Sequence, residues 1–389
     1  MAKRASSRLR FTSIHLKNWR NFRRVDLSLL DRAFIVGPNA SGKSYLLDAF
    51  DFLADLARPT LGGLQTAVGD RGDGFSSLHS YHAKKEPWIE IDVSVGNDAN
   101  PSIWRYRILL KALGKAQVPT VAEEQVWKDG QVLVERRQTG PASDQFLFEQ
   151  TWLEQSESSR LFRELADFLA SCRLVNVVPH IFRGGARERV DGLDPFGGNV
   201  LPSIKSMSKA KREARLQAIS KVLALAVPNL VDITYDDSED GEPHLLASYH
   251  NLRGRRLSEA TFSDGTVRLI GLLWSIADGT GPLLLEEPEL SLNEAVVREI
   301  PGMFARMQRL SGPQVIATTH SGALLDDLGI GLREVHMISV DPNGSSIETI
   351  ADNKMIAAQV DGGMTICEAV LPLLSPNRVH EFGRFDLVG

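Results

Sequence analysis

Gly37-Pro38-Asn39-Ala40-Ser41-Gly42-Lys43-Ser44 is the stretch on which the fold turns. It fits the pattern GxxxxGK[ST] at every specified position. It follows a short apolar run, Ala33-Phe34-Ile35-Val36, that reads as a buried parallel strand. It precedes a segment in which Leu46, Leu47, Phe50, Leu53 and Ala54 fall at helical spacing, so a helix is expected over 42–57, ended by Pro59. Glycines let the backbone curl so that successive N–H groups point at one anion, and the helix start adds its dipole. Lys43 then brings a point charge to the β- and γ-phosphates of a nucleotide, and the Ser44 hydroxyl offers a ligand to Mg²⁺. With Tyr45, these residues are the expected nucleotide-binding loop.

A second signal lies far along the chain. Pro282-Leu283-Leu284-Leu285-Glu286-Glu287-Pro288-Glu289 is an apolar strand that ends in adjacent carboxylates. Acids at the end of a buried strand are costly unless they hold a cation or a water. Successive strand residues point to opposite faces, so Glu286 and Glu287 are expected to differ in role. One faces the Mg²⁺ shell and the other polarises the attacking water. Phe262-Ser263-Asp264-Gly265-Thr266 precedes a helix expected over 267–277, with Ser263 as its cap and its N–H groups as a second anion site. Gln314-Val315-Ile316-Ala317-Thr318-Thr319-His320-Ser321 reads as a further strand, with His320 at its catalytic edge.

Around these signals the chain alternates in character. Phe11-Thr12-Ser13-Ile14-His15-Leu16 and Val25-Asp26-Leu27-Ser28-Leu29 read as strands joined by a polar turn over 17–24. Residues 88–153 look β-rich, with Asp129-Gly130 as a hairpin turn. Helical patterns occupy 159–170 and 206–225, and the Gly/Pro/Arg-rich stretch 179–202 reads as loop. From Phe262 onward strands and helices alternate, which argues for a parallel α/β sheet.

Composition narrows the classes. The chain has 389 residues, 43% hydrophobic and 24% charged, which excludes a disordered or collagenous protein and allows a large core without staples. The net charge of −5 argues against bulk binding of polyanions. Local basic clusters remain at Arg4, Arg8, Arg10, Arg20, Arg23 and Arg24, at Arg183, Arg187 and Arg189, and at Arg253, Arg255 and Arg256. They serve DNA if they converge and are solvated arginines if they do not. Cys172 and Cys367 form no CxxC pair, and His79 and His82 have no third ligand nearby in sequence. Trp88, Trp104 and Trp127 are expected in the core. No apolar h-region follows the basic start, and no window approaches about 18 uninterrupted apolar residues, so a cytoplasmic protein without a membrane span is expected.

The set GPNASGKS, FSDGT, LLLEEPELSLN and ATTHS, in that order, resembles the ABC-type ATPase heads of the SMC, RecF and OLD-like group, often described as AAA family ATPases. Leu16-Lys17-Asn18-Trp19-Arg20-Asn21-Phe22 is similar to the opening of RecF-like heads. The stretch Gly197-Gly198-Asn199-Val200-Leu201 resembles a loop of compact RecF-like ATPases. The resemblance implies an α/β P-loop head with a mostly parallel sheet, an antiparallel β subdomain and a helical lid insertion. It implies a head split over 9–60 and 260–350, a β-rich subdomain at 61–154, a lid at 155–259 and a C-terminal extension at 351–389.

It further implies ATP and Mg²⁺, with Glu286 as the Walker B acid, Glu287 as the catalytic base and His320 as the switch histidine. Ser263, Asp264, Gly265 and Thr266 stand as a signature that meets the γ-phosphate of the opposite subunit, and Leu290 to Asn293 as the D-loop. The loop 176–180 stands where the family's Q-loop is sought. An ATP-sandwich homodimer or higher oligomer follows, acting on DNA or on a nuclease or effector in trans, in repair or anti-phage defence. A non-turnover ATP-gated scaffold is the alternative. The span between Ser44 and Ser263 is too short for an SMC arm, and no acidic triad of a nuclease follows His320.

Overall fold

The computed structural model describes residues 8–58, 63–83, 86–138, 145–155, 158–184, 194–238, 241–279, 281–310, 312–375, 381 and 384. The chain opens with an antiparallel pair, β1 (Arg10–Trp19) and β2 (Phe22–Ser28). The expected polar turn over 17–24 shrinks to Arg20 and Asn21, with Arg20 at φ 54. Charged Lys17 and Arg24 pair across the strands on the solvent side of the alternation, where charge costs little, and Arg23 is exposed beside the turn. β3 (Arg32–Val36) is buried at every position and delivers the glycine-rich turn to α1 (Lys43–Leu56). Two short helices follow, α2 (Gly63–Gly69) and α3 (Phe75–Leu78).

A meander comes next: β4 (Trp88–Gly96), β5 (Trp104–Leu113), β6 (Val118–Lys128) and β7 (Gln131–Arg137). Asp129 and Gly130, at φ 49 and 80, make the expected two-residue hairpin between β6 and β7. Among the described residues of this part, strand structure ends at Arg137, short of the expected 153, and 145–148 is a single 3-10 turn. Trp104 is in the core, as expected, but Trp88 and Trp127 are half-buried on the solvent face, each beneath a cation, Lys17 or Arg105.

The middle of the chain holds α4 (Arg163–Ala170), β8 (Arg173–Val175), α5 (Pro179–Gly184), α6 (Val200–Ser206) and α7 (Lys209–Ala226). The stretch 179–202, expected as loop, is thus partly helical. Pro179 suits the first position of a helix, and burial of Phe182, Val200, Leu201 and Ile204 outweighs the local Gly/Pro signal. A small antiparallel sheet is made by β9 (Leu230–Asp237), β10 (Pro243–Tyr249) and β11 (Arg256–Ser258), with α7 packed on β9. Then come α8 (Asp264–Asp278), β12 (Leu283–Glu286), α9 (Glu294–Arg309), β13 (Val315–Thr319), α10 (Gly322–Leu325), β14 (Val335–Asp341), β15 (Gly344–Thr349), α11 (Lys354–Asp361) and α12 (Ile366–Leu374).

Among the described residues, one 12-stranded sheet runs through the chain, in the order β7-β6-β5-β4-β1-β2-β15-β14-β3-β13-β12-β8. From β8 to β14 the neighbours are parallel, and from β2 to β7 they are antiparallel. The pleat divides the core in two. Ala33, Ile35, Leu284 and Ile316 join the apolar cluster that holds α1 and α4, while Phe34, Val36, Leu283, Leu285, Val315 and Ala317 join the one that holds α8 and α9. This two-sided burial explains why β3, β12 and β13 read as unbroken apolar runs. Their carboxyl ends lie side by side, so the loop 37–44, the acids after β12 and His320 share one edge. No helix among the described residues is long and apolar enough to cross a membrane.

Candidate functional site

The loop after β3 is shaped by backbone conformation and braced from the side. Ala40 and Gly42 have φ 59 and 101, and a Cβ on Gly42 would come within 2.5 Å of the Asn21 amide. Glycine is therefore required at that point by both torsion and space. Asn21 Nδ2 donates to Ser41 O at 2.8 Å and to Ser345 Oγ at 2.8 Å, and Ser345 Oγ donates to Ser41 O at 2.7 Å. The β1–β2 turn and the β14–β15 hairpin thus hold the loop together. Ser345 sits far from the loop in sequence and carries no motif, so only the fold reveals it.

Lys43 is buried and its Nζ donates to Gly37 O at 2.9 Å and Pro38 O at 3.1 Å. Burial lowers its pKa, against the opposing pull of Glu287, Glu289 and Glu286. The Tyr45 side chain is exposed, with the Arg20 guanidinium 5.0 Å from its ring centre. A groove of about 370 Å³ is lined by residues 39–45 and by Glu287.

Ser44 Oγ donates to Glu286 Oε1, and Asn176 Nδ2 donates to Glu286 Oε2 at 2.8 Å. A hydroxyl and a carboxylate oxygen at one point are hard ligands of the kind Mg²⁺ takes, so this pair fits that ion. Glu287 lies one residue beyond β12, at φ 44, and its N–H donates to Thr318 O at 3.1 Å. The two carboxylates diverge because Glu287 enters a left-handed turn, not because of the strand alternation expected from the sequence. Glu287 Oε1 lies 3.0 Å from His320 Nδ1.

Glu289 was not singled out by the sequence, although it is the third acid of the run. It is buried, its Oε1 accepts from Thr319 Oγ1 at 2.5 Å, and its Oε2 has no hydrogen-bond partner among the described residues. Burial pushes its pKa up.

Residues 263–266 lie elsewhere. Ser263 caps α8, its Oγ accepting from Thr266 N at 3.2 Å, and it shares with Gly265, Thr266, Leu292 and Asn293 a cleft of about 250 Å³ that none of the loop residues line. A Cβ on Gly265 would meet Ser291 O at 2.4 Å, so the start of α8 packs directly on the turn after the acids. Asn293 caps α9, accepting from Ala295 N at 2.9 Å.

Several expected basic residues are paired within the chain. Arg10 meets Asp98 at 2.6 Å, Arg20 meets Asp48 at 2.8 Å, Arg24 meets Asp26 at 2.5 Å and Arg183 meets Asp264 at 2.6 Å. Arg4, Arg187 and Arg189 lie outside the described residues.

The family model described as "AAA domain, putative AbiEii toxin, Type IV TA system" matches residues 32–326, from β3 past α10. No curated protein matches the chain. Among solved structures, the chain is similar to an Smc head bound to the C-winged helix domain of ScpA, with TM-score 0.55 and 16% identity over 87% of this chain and 96% of that one. It is also similar to an Smc head domain with an extended coiled coil, bound to the C-terminal domain of ScpA, from Pyrococcus furiosus. There the TM-score is 0.51 and the identity 14%, over 91% and 100% of the two chains. At such identities the likeness is one of fold, shared with Smc head domains.

Proposed function

The chain belongs to the AAA-domain family matched over 32–326, and from that premise we propose that it is an ATP-hydrolysing head that closes as a homodimer around ATP. The observation that carries this reading is the meeting of Ser44, Glu286, Asn176, Glu287 and His320 beside the glycine-rich loop. Residues 39–45 offer their N–H groups to the phosphates, and Lys43 leaves Gly37 O and Pro38 O for the β- and γ-oxygens. Ser44 and Glu286 would hold Mg²⁺, with Asn176 orienting the carboxylate. When bound, the ion neutralises charge on the phosphate oxygens. Glu287, with one oxygen at His320 Nδ1, turns the other to the attacking water and accepts its proton.

The start of α8, residues 263–266, opens on a cleft that shares no residue with the loop groove of its own chain, which supports a role on the nucleotide of the opposite subunit. The head is then divided as 9–60 with 260–350, flanked by a β-rich part at 61–154, a lid at 155–259 and an extension at 351–389. The family's description, which names a type IV toxin–antitoxin system, supports a defence role; a cytoplasmic setting, a nuclease or other effector in trans and DNA as a client follow from the resemblance to RecF- and OLD-like heads.

Phosphate release and dimer mass, measured together with and without DNA, test the reading. ATP-dependent dimers with steady release support it. Dimers without turnover would favour a nucleotide-gated scaffold, and neither would sink both.

A further inference from the structure

Arg183, on α5, aims its guanidinium at the start of α8. Its Nη2 donates to Phe262 O at 2.7 Å and to Asp264 Oδ1 at 2.6 Å. Its Nε is buried without a hydrogen-bond partner among the described residues. Asp264 is the first residue of α8 after the Ser263 cap. An acid there suits the helix alone, because the N-terminus carries partial positive charge. It equally competes with any outside anion for those N–H groups. The Asp264 side chain is 59% exposed and that of Arg183 25%, so the pair sits where an anion on another molecule would arrive.

We propose that Arg183 is a positioning residue for the composite site: it cancels the charge of Asp264 and pins the turn through Phe262 O, so that the start of α8 receives the γ-phosphate of the opposite subunit. This rests on the ATP-sandwich reading. An unpaired carboxylate at this point repels the phosphate, whereas a paired one leaves the N–H groups and the helix dipole as the net attraction. The two tasks of Arg183 separate chemically. The bond to Phe262 O needs only a donor, and the cancellation needs a positive charge.

The test is dimerisation of the full chain by sedimentation velocity, with Mg²⁺ and a non-hydrolysable ATP analogue. Calorimetry of analogue binding on each variant reports on the fold. Arg183→Gln keeps a donor and loses the charge, so the dimer dissociation constant should rise roughly tenfold. That deficit should shrink as salt is raised from about 0.05 to about 0.5 M, because screening weakens the repulsion. Arg183→Gln with Asp264→Asn should return to within about twofold of the parent, since the pair is coupled rather than additive. Arg183→Lys keeps both a donor and the charge and should dimerise within about twofold of the parent, which tests the charge if the glutamine variant loses nucleotide binding. Parent-like dimerisation of the charge-loss variant, or failure of Asp264→Asn to restore it, overturns the proposal. A parent that binds the analogue but never dimerises refutes the sandwich reading and carries the inference down with it, a result distinct from a dimerising parent that ignores Arg183.

Discussion

Asn176 Nδ2 donates to Glu286 Oε2 at 2.8 Å, while the other oxygen of the same carboxylate accepts from Ser44 Oγ. One acid is therefore held between the residue that ends the phosphate loop and the residue that follows β8. Removing the amide frees the carboxylate to rotate. Asn176→Ala should raise the Mg²⁺ concentration for half-maximal ATPase roughly tenfold, as loss of a group that orients a metal ligand does. A Mg²⁺ titration unchanged from the parent would detach Asn176 from the site.

Lys43→Ala removes the only side-chain cation of the glycine-rich loop. ATP affinity should fall by about 2 kcal/mol or more, a factor of roughly 30, since each bond to a charged group carries that order of energy. Circular dichroism should stay parent-like. Unchanged ATP binding by calorimetry would count decisively against the phosphate-loop assignment.

Glu287→Gln keeps the shape of the side chain and loses the charge that faces His320 Nδ1. The variant should bind ATP, lower kcat by about 10²–10⁴-fold and accumulate dimer. Wild-type turnover would mean that the base lies elsewhere.

Ser263→Arg should block closure and spare ATP binding, because Ser263 lines a cleft apart from the loop groove. Mixed with Lys43→Ala subunits, it leaves one heterodimer site with an intact loop and an intact α8 start. ATPase should partly return from two inactive proteins. Heterodimers that form yet stay inactive would argue against independent composite sites.

Glu289 gives a pH prediction. Burial, with the nearby Glu287, raises its pKa in the folded state. A carboxyl with a raised folded pKa binds its proton more tightly in the native chain. Stability is therefore lost as pH rises from the unfolded value through the folded one. Glu289→Gln keeps an oxygen for Thr319 and carries no charge, so its melting temperature should exceed the parent's at pH 8 and match it near pH 4. Parallel melting curves across that range would show Glu289 to be ionised without penalty.

The sequence by itself determined the fold class. An apolar run closing on Gly37, an amphipathic segment after Ser44 and a second apolar run ending in Glu286 are local patterns, set by two-sided burial and by the torsions of the loop. Spacing alone also marked Ser263 as the cap of α8. What only the tertiary structure decided depends on chain segments that meet across long separations. Asn21 and Ser345 converge on Ser41 because a hairpin late in the chain pairs with β2. Arg183 reaches Asp264 because α5 forms where composition suggests loop, driven by burial of Phe182. Trp88 and Trp127 face solvent because the pleat, not their hydrophobicity, sets their side of the sheet. Glu286 and Glu287 part company through a left-handed turn whose N–H is held by Thr318, a bond between β13 and the end of β12 that no local pattern encodes. Periodicity reports which side of an element is buried. Which polar atoms then meet depends on contacts distant in sequence, and those exist only once the sheet is assembled.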